Sequence, residues 1–149
     1  MFRTAYRITG NAADAEDVLQ TIFLRMLRRD SLGTDVEKPE SYLRRAAVNA
    51  SVDLLRARQT EQHVPLSEVA DGRVGESSEL RNCLRWALAR LTPQPAEIFA
   101  LRYFEDCSNK EIARALNMSQ VLVAVTLHRT RRQLQKEIRS CLGDHYESA

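Results

Sequence analysis

An all-α fold is predicted by three observations. Apolar residues recur at three- and four-residue spacing along every regular segment, strand-like alternation appears nowhere, and the helix starts carry recognisable caps. At 149 residues and 44% hydrophobic content, the chain can fold as one compact domain or two very small ones without disulfides or metal.

From Asn11 to Asp30 the residues Ala15, Val18, Leu19, Ile22, Phe23, Met26 and Leu27 form an amphipathic stripe. Asn11 is the expected N-cap, with Asp14, Glu16 and Asp17 favoured by the positive helix start. A loop with Gly33 and Pro39 follows. A second helix is expected from about Glu40 to Arg58, burying Leu43, Ala46, Ala47, Ala50, Leu54 and Ala57, small residues that imply close helix approach. Between Gln59 and Ser77 the periodicity collapses around Pro65, Gly72 and Gly75, which places a linker over 60–77 between domains at 1–59 and 78–142. Ser78 to Leu91 forms the next helix around Leu80, Leu84, Leu88 and Leu91, with Trp86 partly exposed or on a seam. Thr92 and Pro93 then start a helix carrying Ile98, Phe99, Leu101, Tyr103 and Phe104, threonine capping and proline at the first position.

Cys83, Cys107 and Cys141 are odd in number, far apart and never in a CxxC arrangement, so free thiols are expected rather than disulfides or zinc. No window approaches an uncharged membrane span and the start has no long apolar core, so the expected location is cytoplasmic, without membrane insertion. No cofactor is expected, nor catalysis, because His63, His128 and His145 have no neighbouring nucleophile or metal-ligand pattern. Net charge is only +2, from 22 Lys+Arg against 20 Asp+Glu, so any case for nucleic-acid binding rests on charge distribution.

That distribution is informative near the end of the chain. Ser108 and Glu111 have the spacing of a capping box that starts a short helix. Ile112 and Leu116 point inward, Ala113 is small where a second helix must cross, and Asn117 stands where a left-handed turn is needed. Ser119 caps a long helix whose inward stripe is Val123, Leu127, Leu134 and Ile138. Together these make a helix-turn-helix. A plain helical hairpin would explain the apolar spacing equally well, but charge decides against it. The long helix ends in His128, Arg129, Thr130, Arg131 and Arg132 and adds Lys136 and Arg139, while Lys110 and Arg114 lie on the preceding helix. The dipole at a helix C-terminus accounts for part of this cluster, but cations from two helices around one corner fit duplex DNA better.

On the second helix Arg45, Asn49, Val52 and Arg56 share a face, with Asp53 at its edge and Arg44 and Arg58 nearby. Such a stripe offers cations for phosphates and an amide for a base edge, and it is equally readable as a solvated helix face. The strings GNAADAEDVLQTIFLRML, SYLRRAAVNASVDLLRARQ and LTPQPAEIFALRYFEDCSNKEIARALNMSQ resemble, in order and separation, regions two and four of bacterial extracytoplasmic-function sigma factors of the sigma-70 family. The resemblance covers nearly the whole chain except the linker and the last few residues.

The resemblance implies that Asp14, Glu16, Asp17, Gln20 and Phe23 bind the clamp coiled coil of core RNA polymerase. It implies that Tyr42, Arg44, Arg45, Asn49, Asp53, Arg56 and Arg58 recognise and melt the minus-ten element of promoter DNA. An aromatic ring beside cations suits this work, since an unpaired base can stack there while phosphates are held. Melting costs on the order of 1–2 kcal/mol per stacked step, which trapped bases must offset in the absence of any nucleotide-binding loop. Lys110, Arg114, Ser119, Gln120, Thr126, His128, Arg129, Arg131 and Arg132 fall to the minus-thirty-five element, and an anti-sigma factor is an implied partner.

Two departures stand out. The recognition helix begins Val121, Leu122, Val123, Ala124, Val125, Thr126 where the family has glycine, threonine and basic or hydroxyl residues. Only Ser119, Gln120 and Thr126 then retain base-reading capacity, leaving more of the recognition to DNA shape and phosphates or to a protein contact by Leu122 and Val125. Family members also carry further helix before the segment matching Met1 to Gly10, so the first helix is either short or lacks its usual start. The expected function is a sigma factor directing promoter recognition, melting and transcription initiation. The alternatives are a stand-alone helix-turn-helix regulator, a degenerate sigma-like protein that does not initiate transcription, and a helical adaptor that binds proteins only.

Overall fold

The computed structural model describes residues 1–32, 39–61 and 76–147. Among them the chain forms α1 (Phe2–Thr9), α2 (Ala12–Leu32), α3 (Pro39–Glu61), α4 (Glu76–Arg90), α5 (Pro93–Tyr103), α6 (Asn109–Leu116) and α7 (Gln120–Glu147), with no strand. The all-α expectation therefore holds. The loop expected around Gly33 and most of the linker expected over 60–77 lie outside the described residues, at 33–38 and 62–75.

The short α1 ends at Gly10, whose φ of 84° is a left-handed conformation. A Cβ there would also come within 2.5 Å of the Arg85 guanidinium carbon, so the end of that side chain would have to shift. That guanidinium arrives from α4 to donate to the Ile8 carbonyl at 3.1 Å. Burial, and then the neighbouring Arg81, hold Arg85 below its ordinary pKa. Asn11 caps α2 as expected, its side-chain oxygen accepting from the Asp14 amide at 2.8 Å.

Helices α1, α2 and α3 close around Ala5, Ala15, Val18, Ile22, Ala47 and Ala50, with Met26, Leu43, Ala46 and Leu54 packed against them. The alanines bring α2 and α3 close together. Ala57, expected in this stripe, is exposed instead. A second core joins α4 to α7 through Leu88, Leu91, Ile98, Leu101, Ile112, Val123, Leu127 and Leu134. Thr92 stands at the expected N-cap of α5, but its side chain makes no capping bond, so Pro93 is the signal that sets this start.

The expected boundary after residue 59 separates sequence segments, not cores. Val48, Val52 and Leu55, on the face of α3 adjoining its alanine stripe, are buried in the second core together with Ile8. Fully burying each of these side chains stabilises the fold by about 1.5–3 kcal/mol, so α3 is structurally shared between the two halves.

Cys83 of α4 and Cys141 of α7 are joined in a disulfide that spans 58 residues, and only Cys107 is a free thiol. This corrects the expectation of three free thiols. The packing of α4 along α7 places the two cysteines with their Cα atoms 5.8 Å apart, a proximity that sequence spacing does not encode.

Candidate nucleic-acid interface

The helix-turn-helix is built from short-range contacts. The Ser108 hydroxyl accepts from the Glu111 amide and the Glu111 carboxylate accepts from the Ser108 amide, each at 3.1 Å. Donation by the Ser108 backbone amide first, and by the adjacent Ser108 hydroxyl second, holds the Glu111 carboxyl below the usual carboxylate range. Asn117 adopts the left-handed turn at φ 55° and ψ 53°, and the Met118 amide closes α6 on the Ala113 carbonyl at 2.9 Å. The Ser119 hydroxyl then accepts from the Leu122 amide at 3.1 Å, starting α7. Buried Ile112, Ala113, Val123 and Leu127 fix the crossing of the two helices.

The outward face of α7 carries Val121, Leu122 and Val125 in its first turns, followed by His128, Arg129 and Arg132 on the same side. Lys110 and Arg114 of α6 and Arg131 are also exposed, the Arg131 Nε donating to Leu127 at 3.4 Å. Of the three expected base readers, Ser119 is exposed and caps α7 as expected, Thr126 is half-buried, and Gln120 is an exposed amide. Because α7 continues to Glu147, the basic run from His128 to Arg132 lies mid-helix, beyond the last-turn reach of the dipole. Helix-end electrostatics therefore does not account for that run.

The stripe on α3 is not a solvated face. Arg45, Asn49, Val52 and Arg56 line a crevice whose other wall is Pro93, Gln94 and Glu97 of α5 and Leu116 of α6. The Glu97 carboxylate is buried and accepts from both Arg45, at 3.0 Å, and Asn49. Arg45 also donates to the Ala115 carbonyl at 3.3 Å, and Arg56 donates to Leu91 at 2.7 Å and Ala89 at 3.3 Å. Val52, which shares this stripe, is 3% exposed because it packs into the second core. Arg44 lies across Cys107, its Nη1 3.4 Å from the sulfur and its Nε 3.8 Å from Glu105. Burial raises the Cys107 thiol pKa against the opposing pull of Arg44. Asp53 is exposed and pairs with Arg56 at 3.3 Å, while Tyr42 carries the Arg29 guanidinium 4.5 Å above its ring.

Arg58 and Asp14 are brought together in a different role. The Asp14 side chain is only 4% exposed and pairs with Arg58, with the Asn11 amide donating to the same carboxylate at 2.8 Å. The resemblance implies a polymerase contact for Asp14 and a DNA contact for Arg58. The fold instead uses them as a tie between α2 and α3, because Asp14 falls on the same inward face as Val18 and Ile22.

The other residues expected to face polymerase, Glu16, Asp17, Gln20 and Phe23, are exposed on the opposite side of α2. Leu24 and Leu27 stand beside Phe23 at 63% and 65% exposure. They extend the surface that sequence reasoning had confined to Phe23. The signal was an apolar stripe too broad for one buried face. Glu97 was also missed, though it is the lone acid within α5, a helix otherwise rich in apolar residues.

The N-terminal helices match the family model Sigma-70 region 2 over residues 1–61, and the C-terminal helices match Sigma-70, region 4 over residues 81–134. The chain is 35% identical to the RNA polymerase sigma-E factor of Streptomyces avermitilis over 143 residues, covering 94% of this chain and 79% of that protein. Its identity to the sigma-E factor of Streptomyces antibioticus is also 35%, over 93% of this chain and 78% of that protein. It is 28% identical to the ECF RNA polymerase sigma factor SigW of Bacillus subtilis, over 93% of this chain and 83% of that protein. With two of the family's regions in order and relatives aligned along nearly its full length, the chain belongs to the extracytoplasmic-function branch of the sigma-70 family of RNA polymerase sigma factors.

Proposed function

We propose that this sigma factor docks on core RNA polymerase through the exposed face of α2, and grips promoter DNA with α3 at the minus-ten element and α6–α7 at the minus-thirty-five element. The carrying observation is that each face presents chemistry matched to its partner. Glu16, Asp17 and Gln20 lead into Phe23, Leu24 and Leu27, a polar-to-apolar surface suited to a protein helix. The cations of α6 and α7 sit around one exposed corner, as phosphate contacts require. On α3, Tyr42, Arg44, Arg45, Asn49, Asp53 and Arg56 remain the promoter-facing set, without Arg58.

The exposed tip formed by Val121, Leu122 and Val125 supports recognition at the minus-thirty-five element by apolar contact and DNA shape, with Gln120 as the amide able to pair with an adenine. Domain limits of 1–59 and 78–142, a cytoplasmic location, a non-enzymatic role and an anti-sigma partner belong to the same reading. Among the described residues no helix is long and apolar enough to cross a membrane.

Binding of the full chain to purified core polymerase, followed by fluorescence anisotropy, tests the docking face. Phe23→Ser with Leu24→Ser should weaken binding by about tenfold or more while the melting temperature stays put, since both side chains are exposed. A wild-type chain with no measurable affinity for core polymerase would sink the proposal and favour a stand-alone DNA-binding regulator.

A further inference from the structure

Three large apolar side chains stand exposed together at the start of α7: Val121 at 74%, Leu122 at 49% and Val125 at 40%. Folding does not ask for them there. The inward stripe of α7 is already supplied by Val123, Leu127 and Leu134, and valine is a mediocre helix former at an exposed position. Ala124, exposed among them, is too short to hold the helix off a surface. The first two turns of this outward face therefore present methyl groups and no side-chain donor or acceptor, with the Gln120 amide at the margin.

The surroundings indicate what such a face meets. No Asp or Glu occurs between Glu111 and Glu137, a stretch that spans the turn and α7 as far as Lys136. His128, Arg129 and Arg132 follow the apolar tip on the same side of α7, and Lys110 and Arg114 are exposed on α6. An apolar tip backed by charge of one sign fits a polyanion that carries apolar groups of its own. In the major groove of duplex DNA that group is the 5-methyl of thymine, and every other base edge presents donors or acceptors that an apolar side chain would leave unpaired.

We propose that Val121, Leu122 and Val125 are the specificity determinants of the minus-thirty-five grip, and that they read the 5-methyl groups of thymines on neighbouring base pairs. This rests on the reading of α6 and α7 as that grip. A recognition helix meets base edges with its N-terminal residues, and the chain rises about 6 Å from Val121 to Val125, close to two base-pair steps. The cations behind the tip hold phosphates, which position the helix without reading sequence. Thymine is favoured because its methyl is withdrawn from water against the tip, and cytosine is disfavoured because its amino donor finds no acceptor there.

The test selects duplexes from a random-sequence pool with the full chain at low salt. The enriched sequence is then resynthesised with each thymine replaced in turn by deoxyuridine, which removes one methyl and keeps the hydrogen-bonding pattern. Fluorescence anisotropy should show binding weakened about fourfold by deoxyuridine at either of two neighbouring base pairs, and about fifteenfold at both. Leu122→Ser with Val125→Ser, both at exposed positions, should bind the thymine and deoxyuridine duplexes within about twofold of each other. Circular dichroism checks that this variant is folded.

An enriched sequence whose affinity ignores every exchange would overturn the methyl reading while leaving α7 a DNA grip. So would duplex binding that enriches no sequence, or a deoxyuridine effect that survives in the double variant. Absence of any duplex binding, with the double variant weakening the hold on core polymerase instead, would overturn the minus-thirty-five assignment itself and give the tip to a protein.

Discussion

Arg58→Ala removes the cation that faces the buried Asp14 carboxylate, and its cost should fall on folding rather than on promoter binding. The two side chains are 29% and 4% exposed, so the pair is largely withdrawn from water. Breaking a fully buried pair costs about 3–5 kcal/mol, because the surviving charge has lost its partner. Here the Asn11 amide still donates to the carboxylate and Arg58 retains partial solvent contact, which lowers the expectation to about 2–3 kcal/mol. For a chain of this size that corresponds to a fall of about 5–10 °C in melting temperature. Asp14→Asn should be milder, since the amide still fits between its neighbours. The double variant should show a coupling of about 1–2 kcal/mol, as expected for two side chains in direct contact. Thermal and urea melts of the four proteins supply the cycle. An Arg58→Ala chain that melts within about 1 °C of wild type yet loses DNA binding would refute the structural tie and restore Arg58 to the promoter-facing set.

Other expectations follow from the C-terminal half. Cys83→Ser with Cys141→Ser should lower stability on the order of 2–4 kcal/mol, and treatment with a thiol reductant should move wild type toward that value. Glu111 titrates lower in the folded chain than in the unfolded one, so its stabilisation is present above the ordinary carboxylate pKa of about 4.3 and is lost as pH falls through the lower folded value. Melts between neutral and acid pH should therefore show a shallower acid loss for Glu111→Gln than for wild type. If about five cations from the exposed corner of α6 and α7 meet phosphates, log affinity should fall with log salt at a slope near −4 to −5. Arg129→Ala and Arg132→Ala should each reduce that slope by about one, whereas a flat response would point to a protein contact instead.

What the sequence disclosed follows the range of the interactions involved. The helix-turn-helix was readable because Ser108 and Glu111, Asn117, and Ser119 and Leu122 each act within three or four residues, where type and spacing determine geometry. The buried stripe of α7 was readable for the same reason, with Val123, Leu127 and Leu134 all inside. Long-range partners were not readable. Asp14 and Arg58 lie 44 residues apart, Asn49 and Glu97 48, and Cys83 and Cys141 58. Spacing of four, three and four along α3 correctly placed Arg45, Asn49, Val52 and Arg56 on one face, but periodicity does not say what that face meets. On α2 the same ambiguity ran the other way. Leu27 shares the apolar stripe with Val18 and Ile22, yet the turn of the helix sends it into solvent beside Phe23 and Leu24.

In the proposed reading, region 2 offers polymerase the exposed face of α2, and the α3 set assigned to DNA makes hydrogen bonds within the chain. Region 4 contributes an exposed basic corner with an apolar tip.

The most direct measurement is transcription from a pool of bacterial genomic fragments by purified core polymerase, with and without the chain, read by sequencing RNA 5′ ends. With the chain present, discrete start sites should appear that share two short upstream motifs at a fixed separation, one for each grip. Start sites indistinguishable from those of core polymerase alone would contradict the account.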